Sequence, residues 1–541
     1  MLVELRCEKF HQKVIKFHKG MNVVLGTLDA DNSIGKTTFL MILDFIFGGD
    51  DYITINTDVQ EHVGEHEFLF SLKFGSEYFW FKRNSVNTSI IQICNEKYEV
   101  TGHMSLDDYK LFLMEKYDLE LPYASFRNIV GRFSRVYGKE NLDEHNPLHV
   151  AKSETGGKPV TALLILFALY ETIANYAKAY DEKKDKLDTF NKAQDFSLIP
   201  KSPTSREFKK NKKLIEELSE QIEELEKKLK VQLTDVDSTL SSEAIELKKS
   251  LTVAKSQRSK IYSKIFKLKA NMEYKNSPVE KDFSLLLKYF PNSNLKEITE
   301  IEQFHKDVSK ILYKEFSREK QEWEKELVKI DSLIDSINKQ LVALVSTTNI
   351  SAAFLKQYSA LQKRVEQLQL VNDYYEQKLT LEAEKKQAKN NLDAISITQL
   401  AKIETSLNLK MNEINDYLYN GQKTSPNIKF KGMSYEFFTP DDTGTGSSYK
   451  GLIVYDLSVL SLTKLPFLIH DSVLLKQIAD SALLNIFKLY SQSERQIFIA
   501  FDKQGSYGDE CQKLLESNSV LHLAPHGGEL FGVSWNVKAN N

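Results

Sequence analysis

The residues best placed to do chemistry are Asp31-Asn32-Ser33-Ile34-Gly35-Lys36-Thr37-Thr38. A loop of this kind can wrap its backbone N–H groups around a polyphosphate, and a helix beginning behind it points its positive end at the same charge. Lys36 would reach the β- and γ-phosphates, and Thr37 would hold Mg²⁺ through its hydroxyl. The flanks suit this chemistry. Met21–Leu25 is an apolar, strand-like run, and Phe39–Ile46 is an apolar helical one. Strand, loop and helix is the context that a phosphate-binding P-loop requires. One position departs from the usual pattern: Ala30 stands where a glycine is expected, and alanine tolerates positive φ poorly. The bland alternative is a chance Gly-Lys-Thr in a turn.

A phosphate loop also needs an acid to organise the metal. Phe467-Leu468-Ile469-His470 reads as a buried strand ending in Asp471. Such a strand is expected beside the P-loop strand, with its C-terminal end facing the same phosphates. The alternative is that Asp471 only caps the next helix. Gly444-Thr445-Gly446-Ser447, followed by Ser448, precedes another helical run and could offer free N–H groups to a phosphate or be a plain turn. A second acid, Asp502, ends the strand-like run Gln496–Phe501. Arg127, Arg132 and Arg135 form a basic cluster with aromatic neighbours.

The elements that must position these residues fall at the two ends of the chain. Near the N-terminus, strand candidates are Leu2–Cys7, Lys13–Phe17, Met21–Leu25, Glu67–Phe74, Tyr78–Arg83 and Ser89–Cys94, with a helix over 105–117 opened by Ser105. An apolar helix is expected over 160–178. After 420 an α/β alternation resumes through the runs ending in Asp471 and Asp502. Between them the chain is rich in Lys, Glu, Leu and Ile. Leu247, Leu251, Ala254, Ile261 and Ile265, and later Trp323, Leu327, Ile330, Ile334, Ile337, Leu341 and Leu344, keep a heptad spacing. Two such arms flanking a non-heptad stretch predict an antiparallel hairpin. Arms of ~65–100 residues would reach on the order of 100 Å. The alternative is a parallel coiled-coil dimer. The expected divisions are 1–178 and 421–541 for the halves of a globular head, 179–275 and 301–420 for the arms, and 276–300 for the tip.

Bulk composition excludes several classes. Charged residues are 27% and the formal net charge is −3, so any basic surface must be local. The three cysteines are far apart and no Cys-x-x-Cys exists, which argues against a zinc hook and for a reducing compartment. Met1–Arg6 lacks a secretory h-region, and the apolar run 162–170 is too short to span a bilayer. The expectation is a cytoplasmic protein with no membrane association.

The order P-loop, long coiled-coil hairpin, Gly-Ser loop, acid-ended strand and a further acid-ended strand resembles SMC-like and double-strand-break-repair ATPases of the ABC class over the whole chain. More narrowly, Ala30–Thr38, the segment Tyr289-Phe290-Pro291 through Ile301-Glu302-Gln303-Phe304-His305, and Phe467–Ser472 are similar to ATPase subunits of ABC-three-component and Lamassu-like antiphage systems. The resemblance implies an α/β ABC-type head with an inserted antiparallel coiled coil, and ATP with Mg²⁺ as the cofactors. It implies a homodimer whose heads sandwich ATP between Lys36, Thr37 and Asp471 of one head and Gly444–Ser448 of the other. It also implies DNA as a ligand, for which this chain offers its arm lysines and Arg127, Arg132 and Arg135, and separate effector and small accessory subunits. The family usually places Glu after the metal-organising Asp; here that residue is Ser472. Slow hydrolysis is therefore expected, with Asp502 as the substitute acid. No nuclease constellation is visible, so cutting would fall to a partner. The resemblance fits two other roles: a housekeeping repair or chromosome-organising ATPase, and a coiled-coil scaffold that ATP only locks.

Overall fold

The computed structural model describes residues 1–27, 33–197, 199–232, 235–273, 295–347, 352–442, 444–502 and 504–535. Among the described residues thirteen strands are formed: β1 (Leu2–Arg6), β2 (Val14–Lys16), β3 (Met21–Leu25), β4 (Glu67–Phe74), β5 (Glu77–Asn84), β6 (Ile90–Cys94), β7 (Val100–Ser105), β8 (Ser134–Arg135), β9 (Asn427–Lys431), β10 (Ser434–Phe438), β11 (Phe467–His470), β12 (Gln496–Phe501) and β13 (Ser519–His522). Every residue of β3, β11 and β12 is buried. Their near-continuous apolar character is what a parallel sheet covered on both faces requires. They form a five-stranded parallel sheet in the order β13-β3-β12-β11-β8. A six-stranded antiparallel sheet, β2-β1-β4-β5-β6-β7, and the hairpin β9-β10 complete the strand pairing.

The order corrects one expectation. The strand leading to Asp471 does not lie beside the P-loop strand, because β12 pairs with both and stands between them. Phe501 is level with Leu25, so the strand ending in Asp502, and not the one ending in Asp471, runs out directly beside the P-loop.

The chain divides into two compact units, 1–186 with 383–541, and 187–382. In the first, helix Lys36–Ile46 follows β3 and is buried along nearly all its length. Helix Leu106–Lys116 starts at Ser105, whose hydroxyl accepts from the Asp108 N–H at 3.0 Å. The expected helix over 160–178 is instead two, Lys158–Leu166 and Tyr170–Asp195. Ala168 has φ +57, and the Leu169 N–H returns to the Leu164 carbonyl, so the first helix is closed by a left-handed turn.

In the second unit the heptad faces pack, but with a different partnering. Helix Asp235–Glu273 runs antiparallel to helix Leu295–Thr347: Arg258 pairs with Asp331, Lys264 lies over the Trp323 ring, and Leu251 and Leu247 share a cluster with Ile337 and Leu341. The same helix runs parallel to the start of helix Ala352–Tyr419. Ile245 meets Tyr358, and Thr252 reaches Gln362. Helix Ser205–Gln232 is antiparallel to that helix, with Phe208 against Tyr375 and Glu226 accepting from Tyr358. Helices Ser205–Gln232 and Asp235–Glu273 are therefore antiparallel to each other, as are helices Leu295–Thr347 and Ala352–Tyr419. A double hairpin replaces the single one expected from the heptads, since a seam shows which face is apolar but not which seam it meets. Of the expected tip, 276–294 lie outside the described residues, and 295–300 open a helix.

Candidate functional site

Gly35, at φ +97, precedes helix Lys36–Ile46 in the left-handed region that glycine adopts without strain. A Cβ on it would come within 2.5 Å of the Leu530 Cβ, so Gly35 is also a point of close packing. Ser33 and Ile34 lead into it. Asp31 and Asn32 lie outside the described residues. Gly26 follows β3, and its N–H donates to the Phe501 carbonyl at 2.8 Å. A side chain on Gly26 would meet the Asp502 Cβ at 3.1 Å and the Lys36 ammonium at 3.2 Å. Glycine at 26 lets strand end, acid and lysine share one place.

Five side chains gather at these strand ends. The Lys36 ammonium lies 3.0 Å from Asp502 Oδ2, and the Lys476 ammonium donates to that same oxygen at 2.9 Å while lying 2.8 Å from Oδ1. The Thr37 hydroxyl donates to Asp471 Oδ2 at 2.9 Å. The Tyr137 N–H donates to the same oxygen at 3.2 Å, while Asp471 Oδ1 accepts from the Ser472 N–H at 2.6 Å. One oxygen of Asp471 thus caps the short helix Ser472–Leu475, and the other meets Thr37 of the P-loop helix. The Thr37 hydroxyl and the Asp471 carboxylate are hard oxygen donors already facing one another, a set that fits Mg²⁺.

Asp471 is braced from behind. Its N–H donates to the Arg135 carbonyl at 2.9 Å. The Arg135 guanidinium forks onto Asp456 at 2.8 and 2.9 Å, and His470 bridges Asp456 Oδ2, one of the two oxygens Arg135 holds, to the Tyr490 hydroxyl. All four side chains are buried. Burial pushes the Asp456 carboxyl up, but the Arg135 charge and hydrogen bonds outweigh it and hold the carboxyl below its ordinary range.

This overturns the expected role of the arginine cluster. Arg135 is fully buried on Asp456, Arg132 is buried on Glu154 with two contacts of 2.7 Å, and Arg127 forks onto buried Asp44 at 2.9 Å. Each charge is matched by a carboxylate, with Arg132 and Arg135 enclosed in the fold and Arg127 partly exposed, so the three do not form an open basic surface. Burial raises the Asp44 carboxyl, but Arg127 and Lys139 more than reverse this and leave it strongly lowered.

The Gly444 loop caps helix Thr445–Leu462. The Gly444 N–H and the Ser447 hydroxyl both donate to Asp442, at 3.1 and 2.5 Å, and hold that carboxyl below its ordinary range. Gly446 packs against the chain just after Lys476: a Cβ there would lie 2.7 Å from the Gln477 carbonyl. The segment that carries Lys476 to Asp502 is thus the one on which this loop rests. Lys476 was not legible as a site residue, since no motif places a lysine five positions after Asp471.

Residues 410–535 match a family described as an uncharacterised protein conserved in bacteria (DUF2326). No curated protein matches the chain. Among solved structures, the chain is similar to the Smc head domain with a coiled coil and joint from Pyrococcus yayanosii, at 13% identity and TM-score 0.44, covering 97% of this chain and 94% of that one. It is also similar to the Smc head domain with an extended coiled coil bound to the C-terminal domain of ScpA from Pyrococcus furiosus, at 11% identity and TM-score 0.34, covering 97% and 92%. No helix among the described residues is long and apolar enough to cross a membrane.

Proposed function

We propose that this chain is an SMC-like ATPase whose heads, 1–178 with 421–541, pair around ATP and Mg²⁺. The observation that carries the reading is the meeting of Lys36, Thr37, Asp471 and Asp502 at the C-terminal ends of β3, β11 and β12. Ligands of open parallel sheets bind outside those strand ends. When bound, Mg²⁺ would neutralise phosphate charge between Thr37 and Asp471. Lys36 leaves Asp502 for the phosphates, and Asp502, still paired with Lys476, then directs the attacking water. Gly444, Thr445, Gly446 and Ser447 of a second copy close over the γ-phosphate. The finer reading, in which such a dimer clamps foreign DNA and releases a partner effector in antiphage defence, is supported by the motif resemblance and the lysine-bearing arm helices, and no longer by the arginines.

A second reading is favoured by Ser472 and by the two ammonium groups on Asp502: a dimer that ATP locks and hydrolysis scarcely opens. Lys36→Ala separates both from a chance motif. We expect it to abolish nucleotide binding and ATP-dependent head association while the helical signal of the arm persists. Wild-type ATP affinity in that variant overturns the assignment. Single-turnover hydrolysis by the wild type, with and without linear DNA, then divides the two readings.

A further inference from the structure

The C-terminal segment after β13 folds onto the phosphate loop. The Leu530 N–H donates to the Ile34 carbonyl at 3.0 Å, its carbonyl accepts from the His11 N–H at 2.9 Å, and its side chain lies against Gly35. Glu529 fixes the preceding turn by accepting from the N–H groups of His526 and Gly527. Between this segment and the loop is a cleft of about 430 Å³. Ser33 and Thr38 line it on the phosphate side, and Phe531, Val533 and Trp535 on the other, with Asp58 at its edge.

The far wall is aromatic and held in place. The Trp535 indole stacks on His62, with ring centres 5.4 Å apart and planes 15° apart, and its N–H donates to Asp58 at 3.0 Å. Phe531 packs beside it at 6.4 Å. A volume in this range suits a small ligand, and an apolar aromatic wall with a few polar groups is how such sites hold flat rings. The cleft begins where the phosphate loop ends, so whatever fills it is continuous with a bound phosphate chain.

We propose that this cleft is the nucleoside subsite, with Phe531 and Trp535 contacting the base and Asp58 accepting from a ribose hydroxyl. The inference rests on the P-loop reading and deepens it, assigning discrimination between a nucleotide and a bare phosphate chain to the C-terminal segment.

The test compares Mg²⁺-ATP with inorganic tripolyphosphate by calorimetry on the full chain. Wild type binds ATP about tenfold or more tightly than tripolyphosphate, the scale of one base–aromatic contact. Trp535→Ala brings the two affinities together by weakening ATP alone, and Trp535→Phe restores most of the difference. Val533, 58% exposed, supplies a variant that leaves the packing intact. Val533→Trp fills the cleft and lowers ATP affinity while sparing tripolyphosphate. Wild-type ATP preference retained in both Trp535→Ala and Val533→Trp overturns the subsite. Equal binding of the two ligands by wild type does so as well. Binding of neither ligand by wild type overturns the P-loop reading itself, and the subsite with it.

Discussion

The Lys36 ammonium and the Asp502 carboxylate, 3.0 Å apart, are a buried ion pair, with 9% and 0% of their side chains exposed. On the reading proposed above, the lysine that takes the phosphates is stored on an internal counter-ion. Exchange costs little, because one anion replaces another. Asp502 is not stranded by it, since the Lys476 ammonium lies within 2.9 Å of both its oxygens. A buried charge left alone would be strongly destabilising.

Asp502→Asn tests that arrangement. The amide keeps the volume but removes the charge that competes with phosphate for Lys36. ATP affinity is expected to stay within about threefold of wild type or to rise, while single-turnover hydrolysis slows by roughly 10²–10⁴-fold, the usual worth of a water-directing group. Asp471→Asn is expected to have the opposite signature, losing the Mg²⁺-dependent part of binding, because the carboxylate that faces Thr37 is the one proposed to hold the metal. Hydrolysis unchanged by Asp502→Asn would remove the acid from the chemistry.

The double hairpin makes a distance prediction. Thr252 and Gln362 touch only because helix Asp235–Glu273 runs alongside the first part of helix Ala352–Tyr419. In a single hairpin these positions would lie far apart along the arm. Cysteines at 252 and 362 are therefore expected to join efficiently through a short bismaleimide in the monomer, as are cysteines at 258 and 331. The native Cys7, Cys94 and Cys511 are buried and leave the background low. Cross-linking of 258 to 331 without 252 to 362 would return the arm to one hairpin.

What could be read in the chain follows the range of the interactions. β3, β11 and β12 were legible because strands buried on both faces are apolar at every position. Their order was not, since it is set by pairing between segments hundreds of residues apart. Arg135 shows the same limit. Its charge is visible in sequence, but Asp456, the partner that takes the charge out of play, lies 321 positions away. Asp471 was found because an acid ending an apolar run is a local signal. Trp535 was not, because nothing local announces that its segment returns to Gly35. The antiparallel pairing of the helices ending at Thr347 and starting at Ala352 was not legible either, because an interrupted heptad and a reversal look alike until the helices on either side are paired.

Lys450 offers a pH-dependent check on the helix behind the Gly444 loop. It is 1% exposed and donates to Asn415 Oδ1 at 3.0 Å and to the Thr424 carbonyl at 3.3 Å. Burial pushes its ammonium down to about 8 from the ordinary 10.5, Asp442 opposing the shift and Lys423 adding to it. Between those two values the unfolded chain binds the proton more readily than the folded one, so stability rises with pH across that window. Below about 8 the penalty for the buried charge is present in full. Lys450→Met removes the titrating group at similar volume, at a cost of about 1–3 kcal/mol for the two acceptors left without a donor. The stability of wild type relative to Lys450→Met should therefore climb by roughly 2 kcal/mol from about pH 7 to about pH 10, measured by urea unfolding. Other titrating groups shift both proteins alike and drop out of the difference. A difference that stays flat across the window would mean that the Lys450 ammonium keeps its water, and that helix Thr445–Leu462 stands off the Asn415 side chain.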